Sequence, residues 1–325
     1  MARVDNIAHR PIDLLCLGET MGLVSSDKPG ALMPGSFASV SFGGAESNVA
    51  IAAARLGAST AWVSRVGDDP FGDMIVRTLR SEGVATYVTV DPERPTGIMA
   101  KTRPGPVRQR VTYWRAGSAA SAMSTPLIDS DLLASARMLV VTGVTAALSP
   151  TLPGDLRELM VRARSLGTRV AFDLNMRPAL WGAAQARETF ADMAPHADIV
   201  LAGVDDAQAI GLDAHDVPST LAVIQDAYGC AVSVVTDGAR GAGALVDGRQ
   251  YARAAHPVAV VDSVGAGDCF TGAFLAEWVR GCPIETCLDT AVVAGSHACL
   301  VAGDWEGAPT RPDLAALASG PLVER

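Results

Sequence analysis

Lysine is nearly missing from this chain. Of 26 basic residues only Lys28 and Lys101 are lysines, and no GxxxxGK[ST] segment exists in which a lysine would reach a bound phosphate. HExxH is absent, as is a GxGxxG following a strand pattern, so the common zinc-peptidase and dinucleotide fingerprints are excluded. The six cysteines form no CxxC pair, and several lie inside apolar runs. They are expected to be buried free thiols rather than metal ligands or disulfides. A basic face is also lacking: the net charge is −9, which argues against a nucleic-acid partner and an anionic membrane surface. No apolar run reaches the roughly 18 residues of a membrane span. The first ten residues, MARVDNIAHR, have no apolar core of signal-peptide length. A reducing cytoplasm is therefore the expected location.

What is present is an ordinary globular balance, with 49% hydrophobic and 19% charged residues in 325. That length suits a single α/β domain spanning 1–325. Short apolar runs at 14–17, 60–66, 138–144, 170–173, 199–202, 232–236 and 242–246 are strand-sized. Amphipathic stretches at 46–56, 71–82, 152–165 and 267–280 each end just before a glycine, a good helix stop. The part from Ile284 to Val301 reads as a buried helix. Alternation of strand and helix predicts a mainly parallel sheet between helices. Residues 19–41 and 85–115 break the alternation with polar, β-prone runs, and predict a small β-sheet lid beside the main layer. Ligands in such folds sit beyond the carboxyl ends of the strands.

Two glycine motifs carry the chemistry. In Asp262-Ser263-Val264-Gly265-Ala266-Gly267-Asp268 a glycine-rich turn runs into a helix, whose free amides and positive end favour phosphate oxygens. Asp268 falls in the first helical turn, where a carboxylate can take a proton from a hydroxyl while the amides stabilise a transferring phosphoryl group. The local pattern equally fits a glycine turn with an acidic helix start. In Gly43-Gly44-Ala45-Glu46-Ser47-Asn48, paired glycines allow close approach of backbone to a ligand, and Asn48 could hydrogen-bond a polyol. A tight turn before a helix is the plainer alternative. With so little lysine, phosphate handling must rest on amides, arginines and Mg2+.

Taken together, in this order and separation, the two motifs resemble those of the PfkB, or ribokinase-like, carbohydrate kinases. GGAESNVAIAAARLG (43–57) is similar to the family's N-terminal motif, and DSVGAGD (262–268) to its DTxGAGD motif with Ser263 for Thr. Within that family the chain looks most like the 2-keto-3-deoxygluconate kinases, through segments 113–120, 142–149, 172–181 and 303–309. The resemblance implies a ribokinase-like fold and phosphoryl transfer from ATP, with Mg2+, to a hydroxyl of a 2-keto-3-deoxy sugar acid. It implies Asp268 as catalytic base and Gly265, Ala266 and Gly267 as anion hole. Gly44, Asn48, Tyr113, Arg115, Arg177 and Asp304 fall at substrate positions. Asn175 falls near the phosphates, and Asp237, Gly238, Ala239, Arg240, Gly241 and Ala242 form a nucleotide-side loop. Asp206 stands for the acid of the NxxE motif, with indirect influence on the metal. A homodimer paired through the lids is also implied.

Three residues depart from the family pattern. Gly203 replaces the Asn of NxxE, Met99 replaces an aromatic residue of some relatives, and Val292 replaces an adenine-contacting Asn. Arg115 and Arg177 favour an acid, because a guanidinium fork fits a carboxylate and a neutral sugar gives no reason for one. One arginine could instead serve the ATP phosphates. The alternatives are another sugar kinase of the family, acting on 5-dehydro-2-deoxygluconate, fructose or ribose, or a non-catalytic sugar-acid-binding regulator. The intact GAGD segment favours an enzyme.

Overall fold

A computed structural model describes residues 12–26, 33–102, 110–124 and 127–319. The first strand, β1 (Ile12–Leu17), enters the molecule's centre and is followed by β2 (Met21–Ser26) and β3 (Ala38–Gly43), which lead into α1 (Ala45–Arg55). Next come β4 (Thr60–Gly67), α2 (Pro70–Ser81), β5 (Ala85–Asp91), β6 (Ile98–Thr102) and β7 (Arg110–Trp114). The short α3 (Ser130–Ala134) precedes β8 (Ala136–Thr142), the one-turn α4 (Gly143–Ala146), α5 (Leu152–Ser165) and β9 (Arg169–Asp173). Then follow α6 (Ala183–Met193), β10 (Ile199–Gly203), α7 (Val204–Ala209), α8 (Val217–Tyr228), β11 (Val232–Thr236), β12 (Ala242–Val246) and β13 (Arg249–Arg253). The chain ends in α9 (Ala266–Val279), α10 (Ile284–Ala298) and α11 (Arg311–Ser319).

The main sheet has nine strands in the order β13-β12-β11-β10-β9-β8-β1-β4-β5. It is parallel from β11 to β5, and β12 and β13 turn back antiparallel at one edge. Strand alternation divides the core: Leu15 and Leu17 face the layer that holds α5 and α6, while Leu14 and Cys16 face α1, α9 and α10. α9 is buried over most of its length and packs so closely on α1 that a Cβ at Gly272 would meet the Val49 carbonyl oxygen at 2.6 Å. A mainly parallel sheet between helices is the architecture that the alternation of strand and helix predicts.

A second, four-stranded sheet, β3-β2-β6-β7, stands beside the main one. Its core is small: Met21, Leu23 and Met99, with Val111 packed against them. The lid boundaries need correction. Of 85–115, the first part is β5, which pairs in parallel with β4 from Ala61↔Ala85 to Gly67↔Asp91 and so belongs to the main sheet. An edge strand is partly solvated, and the polarity of Thr86 and Thr89 therefore reads as lid when it is edge. Residues 27–32 and 103–109 of the two segments lie outside the described residues. Ala242–Val246 is antiparallel rather than one more parallel strand. Six of these helices, α3, α4, α6, α7, α8 and α11, were not read from sequence. One of them, α8, has the Asp216 side chain capping the Ser219 amide and Gly229 in left-handed backbone at its end.

Candidate active site

The C-terminal ends of β9, β10 and β11 meet the start of α9 at a cavity of about 360 Å³. A second cavity of about 190 Å³ lies between that place and the small sheet. Tyr113, Arg177, Val264, Gly265 and Asp268 line both, so the two spaces adjoin at the start of α9.

Gly265 sets this start. Its φ of 76° is left-handed, and a Cβ there would overlap the Asp304 carbonyl oxygen. Only glycine serves at such a place. No side chain caps the helix, and the first amides of a helix have no intrahelical acceptor. Gly267 lines the larger cavity, yet a Cβ there would meet no protein atom within 4 Å. Packing does not require glycine at 267; close approach of a ligand to bare backbone would. The turn is thus built to receive an anion at the positive helix end.

Asp268 projects into this space. The Asn48 amide donates to its Oδ2 at 2.8 Å, and Asn175 supports it as well. Burial raises its pKa, against the lowering influence of Asn48, Arg177 and Asn175. Asp173, at the end of β9, is pushed up to about 7, first by burial and then by repulsion from Asp206 and Asp268. Asn175 follows in left-handed backbone, φ 37°, a conformation Asn tolerates better than most residues. Its amide N–H donates to Asp173 Oδ1 at 3.1 Å, and its own Oδ1 is buried without a partner.

Asp206, on α7, lines the larger cavity. Its two oxygens accept the Met176 amide at 3.0 Å and the Gly203 amide at 2.9 Å. Among the described residues no cluster of three His, Cys, Asp or Glu side chains could hold a metal ion by itself. A hydrated Mg2+ arriving with phosphates fits better, because that ion keeps several waters and needs only one or two carboxylates. Mutual repulsion of Asp173, Asp206 and Asp268 would also be relieved by a cation.

The two arginines differ. Arg115 is an ion-pair partner of Glu19, with Nη2 2.5 Å from Oε2 and Nε donating to it at 2.7 Å. The Ser118 hydroxyl donates to the other Glu19 oxygen at 2.5 Å. Arg115 thus lines the smaller cavity with its charge already matched, 6.0 Å from the Tyr113 ring centre. Arg177 is exposed and lines both cavities, and within 4 Å no carboxylate pairs with it among the described residues. Its Nη1 donates only to the Met176 carbonyl, at 3.1 Å. Gly44, Asn48, Tyr113 and Asp304 all line the smaller cavity. Burial raises the Asp304 pKa to about 6, Lys101 opposing the shift.

Asp237–Ala242 lines neither cavity; the wall there is Thr236, at the end of β11. Arg240 is ion-paired to Asp237, with Nη2 2.5 Å from Oδ1, and stands 74% exposed. Sequence reasoning gave no role to Asp173, Glu19, Lys101 or Glu46. Glu46 is fully buried, accepts the Thr142 and Thr145 hydroxyls at 2.7 and 2.6 Å, and has its pKa raised to about 7 chiefly by burial. The available signal was an acid inside the otherwise small and apolar run of α1.

The family described as pfkB family carbohydrate kinase matches residues 12–311. The chain is 36% identical to the 2-dehydro-3-deoxygluconokinase of Thermoproteus tenax over 308 residues, 93% of each protein. It is 34% identical to the 2-dehydro-3-deoxygalactonokinase of Haloferax volcanii over 279 residues, 85% of this chain and 87% of that one. It superposes with a TM-score of 0.84 on a putative ribokinase II from E. coli solved with ATP and Mg2+, at 22% identity, covering 95% of this chain and 99% of that one.

Proposed function

This chain belongs to the pfkB family of carbohydrate kinases and is an ATP-dependent sugar kinase, and on that premise we propose that its acceptor is a hydroxyl of a 2-keto-3-deoxy sugar acid. The observation that carries the proposal is Arg177. It is a donor fork at the junction of the two cavities without a carboxylate partner, while Arg115 is already neutralised by Glu19. A guanidinium in that situation favours a ligand that brings its own carboxylate. Kinship with a gluconokinase and a galactonokinase of the 2-dehydro-3-deoxy series supports the same class.

In the mechanism, the nucleotide lies in the larger cavity and the sugar acid in the smaller one. Asp268, at their junction, takes the proton of the acceptor hydroxyl as that oxygen attacks the terminal phosphorus in line and the bond from this phosphorus to the bridging oxygen breaks, releasing ADP. Its raised pKa brings the base closer to working pH, where general-base catalysis is most effective. The amides of Gly265, Ala266 and Gly267 carry the charge that develops on the transferring phosphoryl oxygens. Asn48 and Asn175 fix the Asp268 carboxylate. Gly44, Tyr113 and Asp304 orient the sugar. Asp206 and Asp173 are the residues that would hold a Mg2+ ion, which would supply charge neutralisation to the nucleotide phosphates. The Asp237–Ala242 loop flanks the nucleotide beyond Thr236 rather than lining its cavity. Val40 and Trp114, 59% and 61% exposed, leave apolar surface on the side of the small sheet opposite the sugar, which supports a homodimer paired through that sheet.

The test is ATP consumption over a panel of acceptors. We expect kcat/KM for 2-keto-3-deoxygluconate or its galactonate epimer to exceed that for the neutral sugars fructose and ribose by at least about tenfold, the equivalent of one partly realised charged hydrogen bond; 5-dehydro-2-deoxygluconate, which also carries a carboxylate, tests the position of the keto group instead. A preference for a neutral sugar would overturn the substrate class and leave the kinase assignment standing.

A further inference from the structure

Lys101 lies on β6 of the small sheet, and its side chain is only 4% exposed. Its Nζ donates to Asp262 Oδ2 at 2.6 Å and stands 3.5 Å from Asp304 Oδ1. Asp262 Oδ1 in turn accepts the Val264 amide at 3.2 Å, and Oδ2 the Gly303 amide at 3.4 Å. Lys101 lines neither cavity. One buried ammonium therefore joins three pieces of chain: the small sheet, the turn that leads to Gly265, and the loop whose Asp304 lines the sugar cavity. Burial would raise the Asp262 pKa, but Lys101 together with the Val264 and Gly303 amides more than offsets it, and the carboxyl is held below its usual range.

We infer that Lys101 is a positioning residue, which fastens the small sheet to the anion-binding turn and keeps Asp304 as an ionised hydrogen-bond acceptor for the substrate. The inference rests on the kinase reading above. A buried ion pair is weak evidence for stability, because apolar side chains of similar size often serve as well. What an apolar side chain does not supply is a positive charge beside Asp304. The charges beside Asp304 are Lys101 from β6, Asp268 from α9 and Glu306 from its own loop, with Asp262 on the far side of the ammonium; the Arg115 and Arg177 guanidinium groups line the same cavity. Among the described residues Lys101 is the one cation within 4 Å of Asp304. Without it, the push of burial and the two neighbouring acids is less opposed, and the protonated form of Asp304 gains. Protonated Asp304 has lost half its acceptor capacity.

The test uses K101M, K101R and the double variant K101M/D262N, which leaves no unpaired Asp262 charge and so guards against a misfolded K101M. The first measurement is kcat/KM against pH, with whichever acceptor the wild type turns over fastest. The acid limb should move up by about one unit or more in K101M/D262N, as expected on losing a close opposite charge. The loss should fall mainly on KM, and K101R should keep the wild-type profile. An unmoved limb in the folded double variant, or a K101R profile shifted like that of K101M, would overturn the electrostatic role. The second measurement is amide hydrogen exchange of residues 262–268 in the ligand-free protein. Exchange should quicken in K101M there and not at 232–236; equal protection at 262–268 would overturn the fastening role. If wild type phosphorylates no sugar acid, the substrate reading fails, yet the exchange measurement still decides the fastening.

Discussion

On the strand-end side of the cleft, Glu46, Asp173, Asp206 and Asp268 take part in no ion pair among the described residues, and burial raises the pKa of all four. Beneath the small sheet the acids are paired instead, Glu19 to Arg115 and Asp262 to Lys101. The contrast follows from what each side must do. The strand-end side rests on the main sheet, with core on both of its faces, and can carry acids that hold protons or await a cation from solution. Among the described residues the small sheet's own core is Met21, Leu23 and Met99 with Val111 against them, and Phe42 of β3 reaches into the main core. Its own apolar burial is slight, and its buried charges serve as further fasteners. In the mechanism proposed above, proton transfer belongs to the first side, shape and recognition to the second.

The largest break in this comparison comes from Asp268→Asn. Asparagine keeps the shape but cannot accept the proton. We expect kcat to fall by about a hundred- to ten-thousandfold, with little change in sugar KM and an unchanged or slightly higher melting temperature. Retention of more than about a tenth of wild-type kcat, far short of that range, would remove Asp268 as the base. Loss of activity only together with the fold would mark a structural role instead.

Arg177→Ala sharpens the contrast between the two guanidinium groups. Loss of one charged hydrogen bond costs about 1.5–3 kcal/mol, or about ten- to a hundredfold in kcat/KM. The loss should appear in KM for the sugar acid, while turnover of a sugar lacking the carboxylate stays at its wild-type level. Unaltered KM for the acid would assign Arg177 to the nucleotide or to the turn before Pro178.

The smallest effect is one of stability against pH, read on Glu46→Gln. The folded pKa of Glu46, about 7, lies above the ordinary glutamate value of 4.5. The folded state therefore binds this proton more tightly. The stability it contributes is complete below about pH 4.5 and is lost as pH rises through about 7. Glutamine has no such proton, so the variant should gain on wild type by a few degrees in melting temperature between about pH 5 and pH 8. Calorimetry at the two pH values checks this. A melting difference that is the same at both would mean that Glu46 is ionised, and that the hydroxyls of Thr142 and Thr145 suffice to stabilise its charge.

The segment Asp262–Asp268 was legible because everything it needs is local: a left-handed glycine, a helix start and an acid in the first turn. Helix ends before glycines were legible for the same reason. Edge strand β5 was misread, because its polarity reports solvent on one side and not membership of a lid. That Thr236 rather than the Asp237–Ala242 loop lines the cavity was not legible, since sequence shows which strand the loop follows but not which residue of the wall points inward.

By itself, then, the sequence determined the parallel α/β layer, the two glycine turns and the identity of the base candidate. Each depends on periodicity or on neighbours within one turn of chain. Only the tertiary structure decided the partners of the charged groups. It set Asn48 on Asp268 across 220 positions, Lys101 on Asp262 across 161 and Arg115 on Glu19 across 96. Charge interactions act through space and are strengthened by burial. Which acid neutralises which base is thus fixed by how the sheets stack, and that is why Arg115 and Arg177, alike in sequence, end with opposite roles in the cleft.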